Sequence, residues 1–311
     1  MYKILDEIFV NKPISKIVNN FSHIALERGN MNEKLYMIKN FNSLICRFNK
    51  HVIIVLFLDI KKSYDNRNYG RFYKISHENN KIIIQFDKVK NHNDNEQEGN
   101  HEYSMYVVIN ESTFTKPNSW IKKVYSLDKS RNSEPSERYV YHGLKVITNK
   151  LIITASLDKK KAINENNYIL KNLDEILINH EKHVSRLLSK FRNKNKELDF
   201  AYKCSVNSLD QLTTEKGILA GLPWFFQYWA RDELTSIKAL SLFNKNLSTQ
   251  IINKYIDFYI KNGNIYSNQE SKLISKDALG LLMLRSSEIK DYDSKIIKAL
   301  MSMNHQASLI E

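Results

Sequence analysis

The hydrophobic period changes once along the chain, and that change limits the folds open to it. Between residues 50 and 156 apolar residues come in short β-branched and aromatic runs, the mark of strands. From residue 169 they recur at three- and four-residue steps, the mark of helices. In the first region Val52–Leu58 reads as a buried strand. Phe72–Ser76 and Ile82–Phe86 flank a hairpin turn at His77-Glu78-Asn79-Asn80, and Tyr103–Ile109 is a further strand. Leu144–Thr148 and Leu151–Ala155 surround Asn149-Lys150, which reads as another tight turn. Residues 89–101 and 128–137 read as polar loops, and residues 1–49 as mixed structure. Short strands separated by polar turns predict an antiparallel β-sandwich.

A long helix follows, with Ile169, Leu173, Ile176, Leu177, Val184, Leu187, Leu188 and Phe191 on one face. His180 lies on that stripe with His183 nearby. No cysteine or carboxylate completes a metal set, so both read as packed or surface side chains. Further helices are predicted at Leu234–Phe243, from Leu247 to a C-terminal stop at Gly263, at Ile274–Leu284, and around Ile296, Ile297, Leu300 and Met301. The chain of 311 residues is therefore expected to be multidomain, β then α: a β-sandwich domain over 1–162, a linking helix over 163–200, and a helical domain over 201–311.

Forty-seven Lys and Arg against 34 Asp and Glu leave a formal charge of +13. The cations are spread through the whole chain, not gathered into a stripe with interleaved aromatics, so a basic surface is expected before a nucleic-acid face. Cys46 and Cys204 are far apart and form no metal or redox motif. The start of the chain lacks a signal-peptide core, and no apolar run approaches the ~20 residues that span a bilayer. A soluble, cytoplasmic protein is expected. Phosphate-loop, dinucleotide, nucleophile-elbow and zincin patterns are all absent, and no cofactor or metal is expected.

Chemistry concentrates between Gly217 and Asp232. Two of the three tryptophans, Trp224 and Trp229, fall there with Pro223, Tyr228, Arg231 and Asp232. Aromatic planes cover the apolar faces of sugar rings, and planar charged groups bind their hydroxyls. A packed loop with tryptophan anchors and a structural ion pair fits the same residues. The stretch Ala220-Gly221-x-Pro223-Trp224-Phe225…Trp229-x-Arg231-Asp232 resembles the A-G-x-P-W-F…W-G-R-D signature of glycogen-debranching enzymes of the amylo-α-1,6-glucosidase type. Six-hairpin glucosidases of the glucoamylase type share parts of it. The resemblance implies an N-terminal β-sandwich, a linking helix and an (α/α)6 barrel of six hairpins. It implies a glucose subsite lined by Trp224, Trp229, Arg231 and Asp232, with Tyr228 at the same turn. Ala230 stands where glycine is common and Glu233 where threonine is common, and one extra residue separates Phe225 from Trp229.

A second element, Asp277-Ala278-Leu279-Gly280-Leu281-Leu282, partly resembles the D-A-x-x-W-F stretch that supplies the catalytic acid in that family. Asp277 shares a helical face with Ile274, Leu281 and Leu284. On a buried apolar face its carboxyl is expected to hold its proton. The plainer reading makes Asp277 a first-turn acid behind a Ser275 cap. An inverting hydrolase needs a second carboxylate ~6.5–9.5 Å from the first. The family carries that base late in the barrel, and residues 201–311 hold roughly five helices of average length.

The chain is thus expected to be the N-terminal half of a split or truncated enzyme acting on glycogen or branched α-glucan. A second polypeptide would cover Ile296, Ile297, Leu300, Met301 and Met303. The competing readings are a glucoamylase-like fragment, a non-catalytic carbohydrate-binding protein and a basic nucleic-acid-binding protein.

Overall fold

The computed structural model describes residues 2–62, 65, 67–90, 102–111, 113–190, 192–221, 225–268 and 273–289. Helix expectations at Ile296 to Met303 and the residue Phe191 lie outside the described residues. The chain forms two compact units, Met1–Ser185 and Arg186–Glu311.

Unit 1 begins with five strands, β1 (Tyr2–Val10), β2 (Lys16–Asn19), β3 (Ile24–Arg28), β4 (Met31–Met37) and β5 (Ser43–Lys62). The expectation of mixed structure over residues 1–49 is corrected: the described part is all strand and turn. Next come β6 (Arg71–Glu78), β7 (Lys81–Lys88), β8 (Tyr103–Ile109), β9 (Phe114–Thr115) and β10 (Ser119–Val124). A short α1 (Ser126–Ser130), β11 (Glu137–Ser156) and the long α2 (Lys159–Ser189) complete the series, with the unit boundary falling inside α2.

The strands make one eleven-stranded sheet with the order β2-β3-β4-β5-β11-β8-β7-β6, and β1, β9 and β10 pair with β5 or β11. Every pairing is antiparallel. The expectation of short strands holds except at its centre, where β5 and β11 each run for 20 residues. Asn149-Lys150 does not turn the chain. Thr148 Oγ1 accepts from the Lys150 N–H at 3.0 Å, and the register slips between Thr148 and Lys150 while β11 continues. The ladder is interrupted, with residues 48–51 of β5 opposite Asn149, where a hairpin was expected. The β6–β7 hairpin is as expected: Glu78 pairs Lys81, and Asn79 and Asn80 take φ of 50° and 59°, the positive values of a two-residue turn.

The continuous apolar runs arise because the sheet is covered on both faces. Ile82, Ile84, Val107, Ile109, Leu151 and Ile153 enter the main core with Ile54, Leu56 and Leu58 of β5. Their neighbours Ile83, Val108 and Ile152 turn the other way, where Ala162, Ile169, Leu173 and Leu177 of α2 cover them. Two buried polar side chains fasten these layers. Asp59 is fully buried on β5 and accepts from Lys3 of β1, Arg71 of β6 and Arg138 of β11 at 2.9–3.1 Å. Burial works to raise its pKa, and the Arg138 and Lys3 contacts outweigh it, so the carboxyl titrates below the ordinary 3.8. Asn166 of α2 is also fully buried. It donates to the Val108 and Ile152 carbonyls at 3.3 Å and to Thr154 Oγ1 at 3.1 Å, and accepts from Lys81 Nζ at 2.8 Å. His180 packs in α2 with Nε2 at 2.9 Å from the Ser22 carbonyl, and His183 is exposed.

In unit 2 the stretch read as one linking helix over 163–200 is divided. α2 ends at Ser189, and a separate α3 (Lys196–Leu212) starts where Asn195 Oδ1 accepts from the Glu197 and Leu198 N–H groups. Then follow β12 (Thr213–Thr214), β13 (Gly217–Ile218), α4 (Ala230–Ser241), α5 (Lys245–Asn262) and α6 (Ala278–Glu288). Leu234, Ile237 and Leu240 of α4, Ile251, Ile252, Tyr255 and Ile256 of α5, and Ala278 and Leu282 of α6 share one core. Gly263 ends α5 in the left-handed conformation, φ 70°, its N–H bonded to the Tyr259 carbonyl. Among the described residues there are four helices in this unit beyond the end of α2, and no helix is long and apolar enough to cross a membrane.

Replacing Asn166 strands the buried Lys81 ammonium and two carbonyls. Asn166→Ala is expected to cost about 3 kcal/mol, read as a lowered urea midpoint.

Candidate functional site

The segment that joins α3 to α4 is built from reciprocal backbone bonds. Thr213 pairs Ile218 and Thr214 pairs Gly217. Ala220 N–H donates to the Gln227 carbonyl at 2.9 Å, and Gly221 and Phe225 exchange two bonds at 3.0 Å. Trp224 lies outside the described residues. Phe225 and Phe226 are exposed. Trp229 then enters α4 at the N-cap position, its extended φ/ψ of −101°/127° turning the chain into the helix. It is partly buried, and its indole N–H is buried without a hydrogen-bond partner.

Arg231 and Asp232 project from the first turn of α4 and are exposed. The ion pair expected between these neighbours forms instead between Arg231 and Asp277, Nε to Oδ2 at 2.6 Å. Asp277 stands at the N-cap position of α6, and Ser275 Oγ donates to its Oδ1 at 3.0 Å. The two sequence elements that carried the resemblance therefore meet through Arg231 and Asp277.

The expected state of Asp277 is corrected. Its helix buries Ala278, Leu282 and Ser286, whereas Ile274 and Leu284 are 55% and 49% exposed. The apolar face lies one residue away from the one read in the sequence, and Asp277 faces water. Its hydrogen bond to Arg231, helped by Ser275, holds the carboxyl below the ordinary 3.8. Asp277 is thus a carboxylate at neutral pH, not a stored proton.

Among the described residues the most buried acid of this unit is Glu233, which appeared in the sequence only as a departure from the motif. It is 0% exposed. Oε1 accepts from the Ile218 N–H at 3.0 Å and Oε2 from Tyr255 Oη at 2.6 Å, while Lys254 Nζ reaches both oxygens at 3.1 and 2.8 Å. Burial, then the adjacent Glu233 charge, pushes the Tyr255 phenol far up, so it stays a donor. Lys254 Nζ lies 4.8 Å from the Tyr255 ring centre and 5.6 Å from that of Tyr228. Gly217 is required here, because a Cβ on it would stand 2.0 Å from Glu233 Oε1. The signal was present in the sequence: Glu233 shares the stripe of Ile237 and Leu240, and an acid there must find partners.

Tyr228 Oη bonds Thr214 Oγ1 at 2.8 Å, and its ring lines a cavity with Glu233, Lys254, Tyr255, Tyr266 and Asn268. That cavity, ≈ 10 Å³, has room for one water and not for a sugar ring. The exposed polar groups at the starts of α4 and α6 are Arg231, Asp232 and Asp277. Among the described residues no group of three or more His, Cys, Asp or Glu is placed to hold a metal.

No family model matches the sequence, and no curated protein matches it. Among solved structures, a GH92-family glycosyl hydrolase is similar over 91% of this chain and 42% of its own, with 10% sequence identity and a TM-score of 0.45. The chain spans less than half the length of that protein.

Two outcomes follow from the geometry. Glu233→Ala removes both carboxylate contacts of Lys254 and the acceptor of the Tyr255 hydroxyl and the Ile218 N–H, and is expected to destabilise unit 2 by about 3–5 kcal/mol, seen in a thermal melt. A carboxyl NMR titration should place Asp277 below 3.8, and Arg231→Ala should return it toward that value. The sign follows from the depressed pKa: the pair's contribution is present above 3.8 and is lost as pH falls through the folded value.

Proposed function

We propose that this chain is the N-terminal half of a glycoside hydrolase of the amylo-α-1,6-glucosidase type, acting in the cytoplasm on glycogen or another branched α-glucan. The observation that carries the reading is the Arg231–Asp277 bond at 2.6 Å, which brings together two elements chosen on sequence resemblance alone. On this reading unit 2 is the first part of an (α/α)6 barrel. Trp224, Tyr228, Trp229, Arg231 and Asp232 form the glucose subsite, and Asp277 is the acid.

The roles follow from the chemistry of the side chains. The guanidinium donates to sugar oxygens, Asp232 accepts from hydroxyls, and the partly buried Trp229 ring offers an apolar plane. Protonating the glycosidic oxygen requires Asp277 in its acid form. Substrate must therefore draw Arg231 onto itself and shed water from Asp277, both of which raise the carboxyl pKa. The general base, which an inverting reaction also needs, is assigned to a second polypeptide.

Carbohydrate binding without turnover is the second reading, and one observation favours it: Asp277 is exposed and ionised in this chain. Purification of the chain with its partner from native extract, followed by assay on branched oligosaccharide, separates the two. The first reading expects glucose release that falls at least a hundredfold in Asp277→Asn, with glucan affinity within twofold. Unchanged turnover in that variant removes Asp277 from the mechanism. Glucan affinity with no turnover in any preparation establishes the second reading.

A further inference from the structure

Unit 1 contains a groove made by two breaks in regular structure. On one side the β5–β11 ladder is interrupted between Thr148 and Lys150, where the register skips one residue of β11 and residues 48–51 of β5. On the other α2 loses helical geometry at Asn172, with φ −113° and ψ 20°. The break has a local cause: Asn172 Nδ2 donates to the Tyr168 carbonyl at 2.8 Å, which an unbroken helix would give to a backbone N–H. Between the two lies a cavity of ≈ 250 Å³ lined by Arg47, Lys150, Leu170, Asn172, Asp174 and Glu175. That is below the roughly 300–1,000 Å³ of sites for drug-sized ligands, so the groove suits one small ring and not a chain of them.

The lining is polar, and its charges nearly cancel, because Asp174 and Glu175 stand among Arg47, Lys150 and Lys171. This favours an uncharged ligand over an anion. Arg47 Nη1 bonds Asp174 Oδ1 at 3.1 Å, and that exposed pair sets a planar donor beside a planar acceptor, the pattern vicinal hydroxyls match. Leu170 offers an aliphatic patch. Tyr168, one turn before Asn172, lies outside that lining: it is 55% exposed and stacks on Phe41 with ring centres 6.1 Å apart. Alternating donors and acceptors beside an aliphatic patch match the hydroxyls and the C–H face of a pyranose.

We propose that this groove is a second, non-catalytic sugar-binding site that holds one ring of an α-glucan. The choice of α-glucan rests on the proposed function. The groove itself rests on its own geometry, in a unit apart from Arg231 and Asp277.

The test titrates the full chain with maltotriose, by calorimetry, in four forms: wild type, Arg231→Ala/Asp277→Asn, Arg47→Ala/Asp174→Ala, and all four changes together. The Arg47–Asp174 pair is exposed and contributes little to stability, and a thermal melt checks that the fold is kept. Maltotriose is expected to bind the Arg231→Ala/Asp277→Asn chain, and at least tenfold more weakly once Arg47→Ala/Asp174→Ala is added. Unchanged affinity after that addition overturns the proposal, as does the absence of maltotriose binding in the Arg231→Ala/Asp277→Asn chain. Displacement of maltotriose by millimolar inorganic phosphate also overturns it, since an anion site is then the correct class. If Arg47→Ala/Asp174→Ala alone removes all binding, the groove stands and the reading of the Arg231 subsite falls.

Discussion

The pairing of β5 with β11 is the constraint on which unit 1 depends. β1 and β4 hang on β5, while β8, β9 and β10 hang on β11, so no other strand pair brings the rest of the sheet together. The partners lie far apart in sequence, residues 43–62 with 137–156, and closing that loop comes before the contacts that reward it. α2 depends on the same seam. Its residues Ile169 and Leu173 pack against Ile45 and Ile152, which are neighbours only once the two strands have paired. Asn166 then ties the helix to β8 and β11 together.

Each unit uses one fully buried carboxylate as a fastener. Asp59 draws in side chains from β1, β6 and β11, and Glu233 draws in Ile218, Lys254 and Tyr255. The attraction in such pairs is largely offset by the loss of hydration, so their net contribution to stability is small even though breaking them is costly. What they supply is position. Glu233 fixes the Gly217–Ile218 strand to the first turn of α4, the turn that presents Arg231 and Asp232. The close approach of Gly217 to its carboxylate leaves no room for a side chain at that position.

The succession of a large antiparallel sheet and then helices was legible because period is a property of consecutive residues. The strands at β6, β7 and β8, the turn at Asn79-Asn80 and the stop at Gly263 follow from local patterns that tertiary contacts do not override. What was not legible depended on residues distant in sequence. Asn149-Lys150 has turn composition, yet β5 pairs on both sides of it, and the strand runs on across an interruption in the ladder. The strands before residue 40 are polar and amphipathic; β1 and β4 become strands by joining β5, and β3 and β2 follow by pairing outward from β4. At the site the residues Arg231 and Asp277 were identifiable, but their partnership was not, because nothing in the sequence states which arginine faces which acid. The helical face of Asp277 was misplaced by one residue, since Ile274 lies before α6 and so does not belong to the helix's stripe. Glu233 was visible and misjudged: its place on an apolar stripe carried more information than its departure from a motif.

The partnership of Arg231 with Asp277 also has a reason in the helices that bear them. The first turn of a helix carries a partial positive charge, which favours a carboxylate and disfavours a guanidinium. Asp277 is at the start of α6, where that field supports its ionised form, and Arg231 is in the first turn of α4, where the field opposes it. Asp232 and Asp277 offset that opposition for Arg231. A guanidinium held against the field of its own helix by an exposed acid is weakly committed to that acid. Were another oxygen to take its place, Asp277 would lose the contact that most depresses its pKa. The same bond that keeps Asp277 ionised in the free chain is therefore the one whose release would move it toward the protonated form.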